Sequence, residues 1–152
     1  SQADFAINHP SGALGKKLTL IVENLMIPIN KIPGLNPTYP LVDLITSMTK
    51  DGIGSAWIED QSEKGKIIGL ITDGDLRRAL EKNNVSNWKG LKAKDLMTED
   101  PICINKKELV ANAIRIMEKN FKKPISVLPV INDENKICGL LRLHDLVQAG
   151  FG

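Results

Sequence analysis

The chain repeats itself, and a repeat of this length restricts the fold to two copies of one small unit. Leu41, Leu44, Ile45 and Met48 fall at i, i+3, i+4 and i+7, which is one apolar face of a helix. Val110, Ala113, Ile114 and Met117 repeat that face 69 positions later. Lys66-Ile67-Ile68-Gly69-Leu70-Ile71 returns as Lys136-Ile137-Cys138-Gly139-Leu140-Leu141, and Asp75-Leu76 returns as Asp145-Leu146, both 70 positions on. Glu23-Asn24-Leu25-Met26 returns as Lys94-Asp95-Leu96-Met97 at an offset of 71. Chance does not hold an offset within 69–71 across separate elements, so the chain is a tandem duplication.

Each copy reads in the same order. A short helical turn ends in Leu-Met, and an extended, Pro-bounded segment follows (31–36 and 101–105). An amphipathic helix comes next, over about 40–50 and 107–120. Two β-rich runs then flank a turn-rich stretch, and Ser55-Ala56-Trp57-Ile58 is matched with the run that starts at Ser126. A closing helix starts near Asp73 and near Leu143. The predicted class is α/β (α+β), with two β-α-β-β-α units of three strands each packed about a pseudo-two-fold axis. One unit buries too little apolar surface to stand alone, which is why the two should share a core. The units are placed at 21–82 and 93–152, with 83–92 as a linker that is polar apart from Trp88 and a separate segment 1–20 ahead of them.

Composition narrows the function. Hydrophobic residues make up 42% and charged residues 25%, ordinary usage for a soluble globular chain of 152 residues. No apolar run approaches the ~18 residues of a membrane span, and no signal peptide opens the chain. A cytoplasmic protein that does not engage a membrane is expected. The net charge is only +2, lysines are interleaved with acids, and six aromatic residues (Phe5, Tyr39, Trp57, Trp88, Phe121, Phe151) offer little for base stacking. Nucleic acid is therefore not the expected partner. Cys103 and Cys138 each sit inside an apolar run without a CxxC pattern, and read as reduced, buried thiols. With only His9 and His144 as histidines, no metal site is expected.

One stretch carries chemistry. Gly69-Leu70-Ile71-Thr72-Asp73-Gly74-Asp75 joins a buried strand to the start of a helix. Asp75 can accept from vicinal hydroxyls, Thr72 can donate to a sugar or phosphate oxygen, and the helix start offers free N–H groups. The same two residues also make an ordinary helix cap. On the residues alone, both readings stand.

The duplicated units, each ending in a Gly-h-h-(Thr)-x-x-Asp-Leu run, resemble a CBS-domain pair over about residues 21–150. The resemblance implies that Thr72 and Asp75 hold the ribose and phosphate of a nucleotide, with Ser55, Arg77 and Arg78 beside them. The second unit departs from the pattern, because Arg142 stands where the threonine would be in Gly139-Leu140-Leu141-Arg142-Leu143-His144-Asp145. Its candidate ligand residues are Arg142, His144 and Asp145.

The segment Phe5-Ala6-Ile7-Asn8-His9-Pro10-Ser11-Gly12-Ala13-Leu14-Gly15 belongs to neither repeat. It is similar to the join between the sugar-isomerase (SIS) domain and the CBS pair of bacterial arabinose 5-phosphate isomerases, so residues 1–20 read as the end of that domain and its linker. That family interconverts ribulose 5-phosphate and arabinose 5-phosphate, a step toward the lipopolysaccharide sugar Kdo. The resemblance implies that His9 belongs to the active site of the parent enzyme, and that this chain is an inactive fragment of it. It further implies regulation by a small effector, CMP-Kdo or an adenine nucleotide, with no cofactor required. The implied partners are the chain's own SIS domain and other copies of the chain: a dimer of CBS pairs, and a tetramer in the full enzyme. A ligand-free dimerisation module is the alternative.

Overall fold

In the computed structural model, residues 19–50, 52–119 and 125–151 are described. The predicted helices form where the apolar spacing puts them. Helix α2 (Leu41–Lys50) buries Leu41, Leu44 and Met48, and α5 (Val110–Glu118) buries Val110, Ala113 and Met117. Ile45, counted on the same face, stands at its margin and is 37% exposed. Each buried aliphatic side chain contributes roughly 1.5–3 kcal/mol, so these two stripes fix the helices on their sheets. Asp43 in the first turn of α2 and Lys50 in the last also suit the helix dipole.

The sheets differ from the sequence reading. Each has four strands rather than three, and the fourth comes from the other unit. Strands β2 (Gly34–Leu35), β3 (Ser55–Glu59) and β4 (Ile67–Thr72) of the first unit are joined by β5 (Thr98–Glu99), the opening strand of the second. In the other sheet, β6 (Ile104–Asn105), β7 (Val127–Ile131) and β8 (Ile137–Arg142) take β1 (Ile27–Pro28) from the first unit.

The turns before the exchanged strands are exchanged with them. α1 (Val22–Leu25) hydrogen-bonds the second unit through Val22 N–H to Glu108 O and Glu23 N–H to Lys106 O. α4 (Ala93–Leu96) does the same to the first unit, from Ala93 N–H to Tyr39 O and Lys94 N–H to Pro37 O. The repeated Asn24 and Asp95 have one job: their side-chain oxygens accept from the backbone N–H of Ile21 and Lys92, three residues earlier. Repeated Asn36 and Asn105 likewise accept from Thr38 and Lys107 N–H, turning the chain into the helix that follows.

Three apolar clusters result. One, around Leu41, Leu44, Met48, Ala56, Ile58 and Ile71, takes Ala93 and Leu96 from the second unit. A second, around Val110, Ala113, Met117, Leu128, Val130 and Leu141, takes Val22 from the first. The third lies at the junction and joins Ile32, Trp57 and Leu70 to Ile137 and Leu140. β3 is covered on both faces, which is why Ser55, Ala56, Trp57 and Ile58 are all buried.

Segment 83–92 is not an extended connection. It forms a 3₁₀ turn at Val85–Gly90, Trp88 packs toward the α2 cluster, and Leu91 O accepts from Leu41 N–H at 2.9 Å. The closing helix α3 (Asp73–Lys82) has ten residues, whereas its counterpart α6 (Leu143–Leu146) has four and runs into a wider π-type turn that kinks at Gly150. The cysteines correct another expectation: both are half-buried rather than buried. Cys103 lies in a loop with its Sγ 3.3 Å from Pro101 O, and Cys138 sits at a half-covered position near the start of β8. No helix among the described residues is long and apolar enough to cross a membrane.

Candidate functional site

β4 ends at Thr72, and α3 starts one residue later. The Thr72 backbone N–H donates to Asp75 Oδ2 at 2.9 Å, its hydroxyl donates to the same oxygen at 3.1 Å, and Asp75 N–H returns a bond to the hydroxyl at 3.4 Å. Arg78 holds the other carboxylate oxygen at 2.7 Å. The cap foreseen for these residues is therefore formed. Asp75 is well covered, with a side chain 13% exposed, while that of Arg78 is half-exposed. Arg77 is exposed and has no ion pair among the described residues.

Ser55 lies directly across from Thr72 in the β3–β4 ladder, so the two side chains share a sheet face. Ser55 is 2% exposed, and its hydroxyl makes no hydrogen bond among the described residues. Trp57 follows on that face, and its indole N–H is buried without an acceptor. Buried polar groups normally have partners, and among the described residues the Trp57 indole N–H is the buried side-chain polar atom that lacks one.

In the second unit Arg142 occupies the place of Thr72. Its Nε and Nη2 form a two-pronged pair with Asp145, at 2.8 and 2.9 Å. Its Nη1 donates across the unit boundary to Ile53 O at 3.2 Å. His144 is exposed, and its side chain has no partner among the described residues. The ladder pairs Arg142 with Val127, so the counterpart of Ser55 is Val127, one position beyond the matched Ser126. The sequence match slips because the turn between β7 and β8 is two residues shorter than that between β3 and β4.

Sequence reasoning missed the loop that links the two strand ends, through Gly54 O to Asp73 N–H and Ile53 O to Arg142. Gly52-Ile53-Gly54 has positive φ at both glycines, 67° and 71°, and Gly54 O accepts from Asp73 N–H at 2.9 Å. The Asp73 carboxylate lies against the bare Cα of Gly54, so a side chain there would collide. The doubled glycine just before a strand was the available signal. His9 lies outside the described residues.

A groove of about 560 Å³ lies elsewhere, between Cys103–Asn105 and α5. Glu108 is among its lining residues and stands 69 positions after Tyr39, whose hydroxyl meets Ser47 in the first unit. None of the predicted ligand residues lines it. The gathering of Ser55, Thr72 and Asp75 at the ends of β3 and β4, reached from the end of β8 by Arg142 through Ile53 O, rather than volume, marks the candidate site. Among the described residues, no group of three or more His, Cys, Asp and Glu side chains could hold a metal ion.

Two strand-exchanged α/β repeats that share an apolar junction, with polar residues at the strand ends, define the chain as a paired-repeat module. The family model of the CBS domain matches residues 22–82 and 93–152, and the chain belongs to that family as a tandem pair. It is 36% identical over 148 residues to arabinose 5-phosphate isomerase KdsD of Francisella tularensis, covering 97% of this chain and 43% of that protein. It is also 36% identical over 147 residues to KdsD of Pseudomonas aeruginosa, with the same two coverages of 97% and 43%. The chain thus spans less than half the length of these relatives.

Among solved structures, it superposes on CBSX2 in complex with AMP with a TM-score of 0.67 and 22% identity, over 85% of this chain and 94% of that one. The CBS pair of protein MJ0100, in complex with 5'-methylthioadenosine and S-adenosyl-L-methionine, gives a TM-score of 0.71 at 22% identity, over 86% and 94%. These likenesses show the fold.

Proposed function

We propose that the chain is the regulatory, effector-binding CBS pair of an arabinose 5-phosphate isomerase. The observation that carries this reading is the meeting of Ser55, Thr72 and Asp75 at one end of the junction face, where Ser55 brings a hydroxyl with no hydrogen bond among the described residues and Asp75 a well-covered carboxylate. The relatives supply the host enzyme, and the adenosine ligands of the structural neighbours supply the ligand class. In this reading an adenine nucleotide, or the nucleotide-sugar CMP-Kdo, places its ribose hydroxyls on Asp75 and shifts an attached SIS domain between states. That domain performs the ribulose 5-phosphate to arabinose 5-phosphate interconversion that feeds Kdo and lipopolysaccharide synthesis. The ligand regulates only if it binds one state better than the other.

A second reading, a ligand-free dimerisation module, draws on a different observation. Val42 and Ile45 leave an apolar strip on the outer face of α2, 57% and 37% exposed. The cap also satisfies Thr72 and Asp75 without any ligand.

A thermal-shift series with AMP, ATP, CMP and CMP-Kdo separates the two. At ligand 100-fold above its dissociation constant, stabilisation reaches about 2.7 kcal/mol. The effector reading expects such a shift for at least one ligand and its loss in Asp75→Ala. Silence across the panel, with dimers in solution, leaves the dimerisation module.

A further inference from the structure

We propose that Arg142 of the second unit reads the anionic group of a ligand held in the first unit's cleft. The chain then carries one composite site rather than two equivalent ones. This rests on the effector reading above and specifies its ligand: vicinal hydroxyls at one end, a phosphate or carboxylate at the other.

The two sheets place the parts together. Ser55 pairs with Thr72 and Val127 with Arg142, at corresponding ends of β3–β4 and β7–β8. Trp57 and Leu70 on one sheet and Leu140 on the other meet in the junction cluster, so both strand ends border the same seam. A direct bond crosses that seam, from Arg142 Nη1 to Ile53 O. Ile53 lies two residues before Ser55, and its neighbour Gly54 holds the N–H of Asp73 at the start of α3. The guanidinium therefore stands on the loop that frames the Thr72 cleft.

The second unit cannot use Arg142 for a cleft of its own kind. Both Asp75 and Asp145 are engaged on both oxygens, but at Asp75 the strand-end partner is a threonine that brings a hydroxyl, whereas at Asp145 the strand-end Arg142 itself supplies both bonds. Val127 replaces the Ser55 hydroxyl, and no threonine stands at the strand end. A guanidinium has five N–H groups. Asp145 and Ile53 engage three, which leaves one on each terminal nitrogen, a geometry suited to a two-oxygen anion.

The other candidate cations are placed less well. Arg78 is engaged by Asp75 itself, and Arg77 lies two residues beyond Asp75, a spacing that puts it on another side of the helix. Asp145 offsets part of the Arg142 charge, so the expected anion preference is of the order of tenfold rather than thousandfold.

Calorimetric titration of the intact chain with AMP and with adenosine tests this, because the two differ only in the phosphate. The wild type is expected to bind one AMP per chain, about tenfold more tightly than adenosine. In Arg142→Ala the preference should collapse while adenosine affinity stays within about twofold. In Asp145→Asn, which removes the competing charge and keeps the guanidinium, the preference should grow. Asp75→Ala should weaken both ligands and keep their ratio. An AMP preference that survives Arg142→Ala, or two AMP molecules per chain, overturns the composite site and leaves the effector reading standing. Failure of both ligands to bind the wild type overturns the inference, and the effector reading falls with it only where ATP, CMP and CMP-Kdo are silent as well.

Discussion

The Met97 side chain lies on the bare Cα of Gly69, so the Leu-Met turn that opens the second unit is seated on the strand that nearly closes the first. Met26 stands in the same relation to Gly139. The Gly and the Leu-Met of the repeat are therefore two halves of one contact, made each time between units. Strand pairing follows the contact: Gly69 faces Glu99 and Leu70 faces Thr98, while Pro28 faces Gly139 and Ile27 faces Leu140.

The two glycines differ in what a methyl group would strike. At Gly69 the obstacle is the flexible Met97 side chain, whereas at Gly139 it is also the backbone oxygen of Ile27, 2.5 Å from the added carbon. Overpacking typically costs about 1–3 kcal/mol. Gly139→Ala is expected near the top of that range and Gly69→Ala near the bottom, by urea denaturation. Met97→Ala should recover part of the loss in Gly69→Ala and none of it in Gly139→Ala.

The cap on α3 gives a ligand-independent expectation. Thr72→Ala removes the hydroxyl that accepts from Asp75 N–H and should lower stability by about 1 kcal/mol. Arg78→Ala breaks a half-exposed pair and should cost less, with the difference shrinking in high salt. A Thr72→Ala loss no greater than that of Arg78→Ala would make the cap energetically idle.

The helices were legible because their apolar spacing persists for two or three turns and repeats at a fixed offset. Leu41, Leu44 and Met48, with Val110, Ala113 and Met117, are buried accordingly. The strand exchange was not. β1, β2, β5 and β6 have two residues each, too short for an alternation of apolar and polar positions to register. Sequence order assigned them to the unit they open, whereas the Met-on-Gly contacts assign β1 and β5 to the other. At the site, the Thr72–Asp75 relation could be read from a spacing of three. The reach of Arg142 to Ile53 spans 89 positions and follows from the exchange, so no local pattern carries it.

The half-buried cysteines have a pH signature. Burial raises both thiol pKa values above the ordinary range, with Lys106 opposing part of the rise at Cys138. Raised values mean less thiolate at neutral pH, so iodoacetamide should label the folded chain more slowly than it labels the unfolded chain at pH 8. The rate should keep climbing at a pH where a free thiol has levelled off. Labelling followed site by site by mass spectrometry checks this; folded-state rates equal to the unfolded ones would show that burial does not protect the thiols.

The exchange also determines which pieces of the chain can fold. A fragment cut at the sequence repeat, residues 21–82, keeps α1, whose Val22 belongs to the core of the other unit, and lacks Ala93 and Leu96, which complete its own. A fragment spanning 29–99 holds every buried residue of the Leu41–Leu44–Met48 cluster, the 3₁₀ turn with Trp88, and β5 as the fourth strand. The two differ little in length, so chain entropy does not separate them, while the missing Leu96 contact is by itself worth roughly 1.5–3 kcal/mol. Neither can cover Trp57 and Leu70 at the junction, so self-association through that face is expected of whichever fragment folds. Fragment 29–99 should therefore show a cooperative thermal transition by circular dichroism, with a melting temperature that rises with protein concentration. Fragment 21–82 should show none. A cooperative transition in 21–82 alone would mean that the repeat is also the folding unit, and that the exchanged segments only decorate two finished domains.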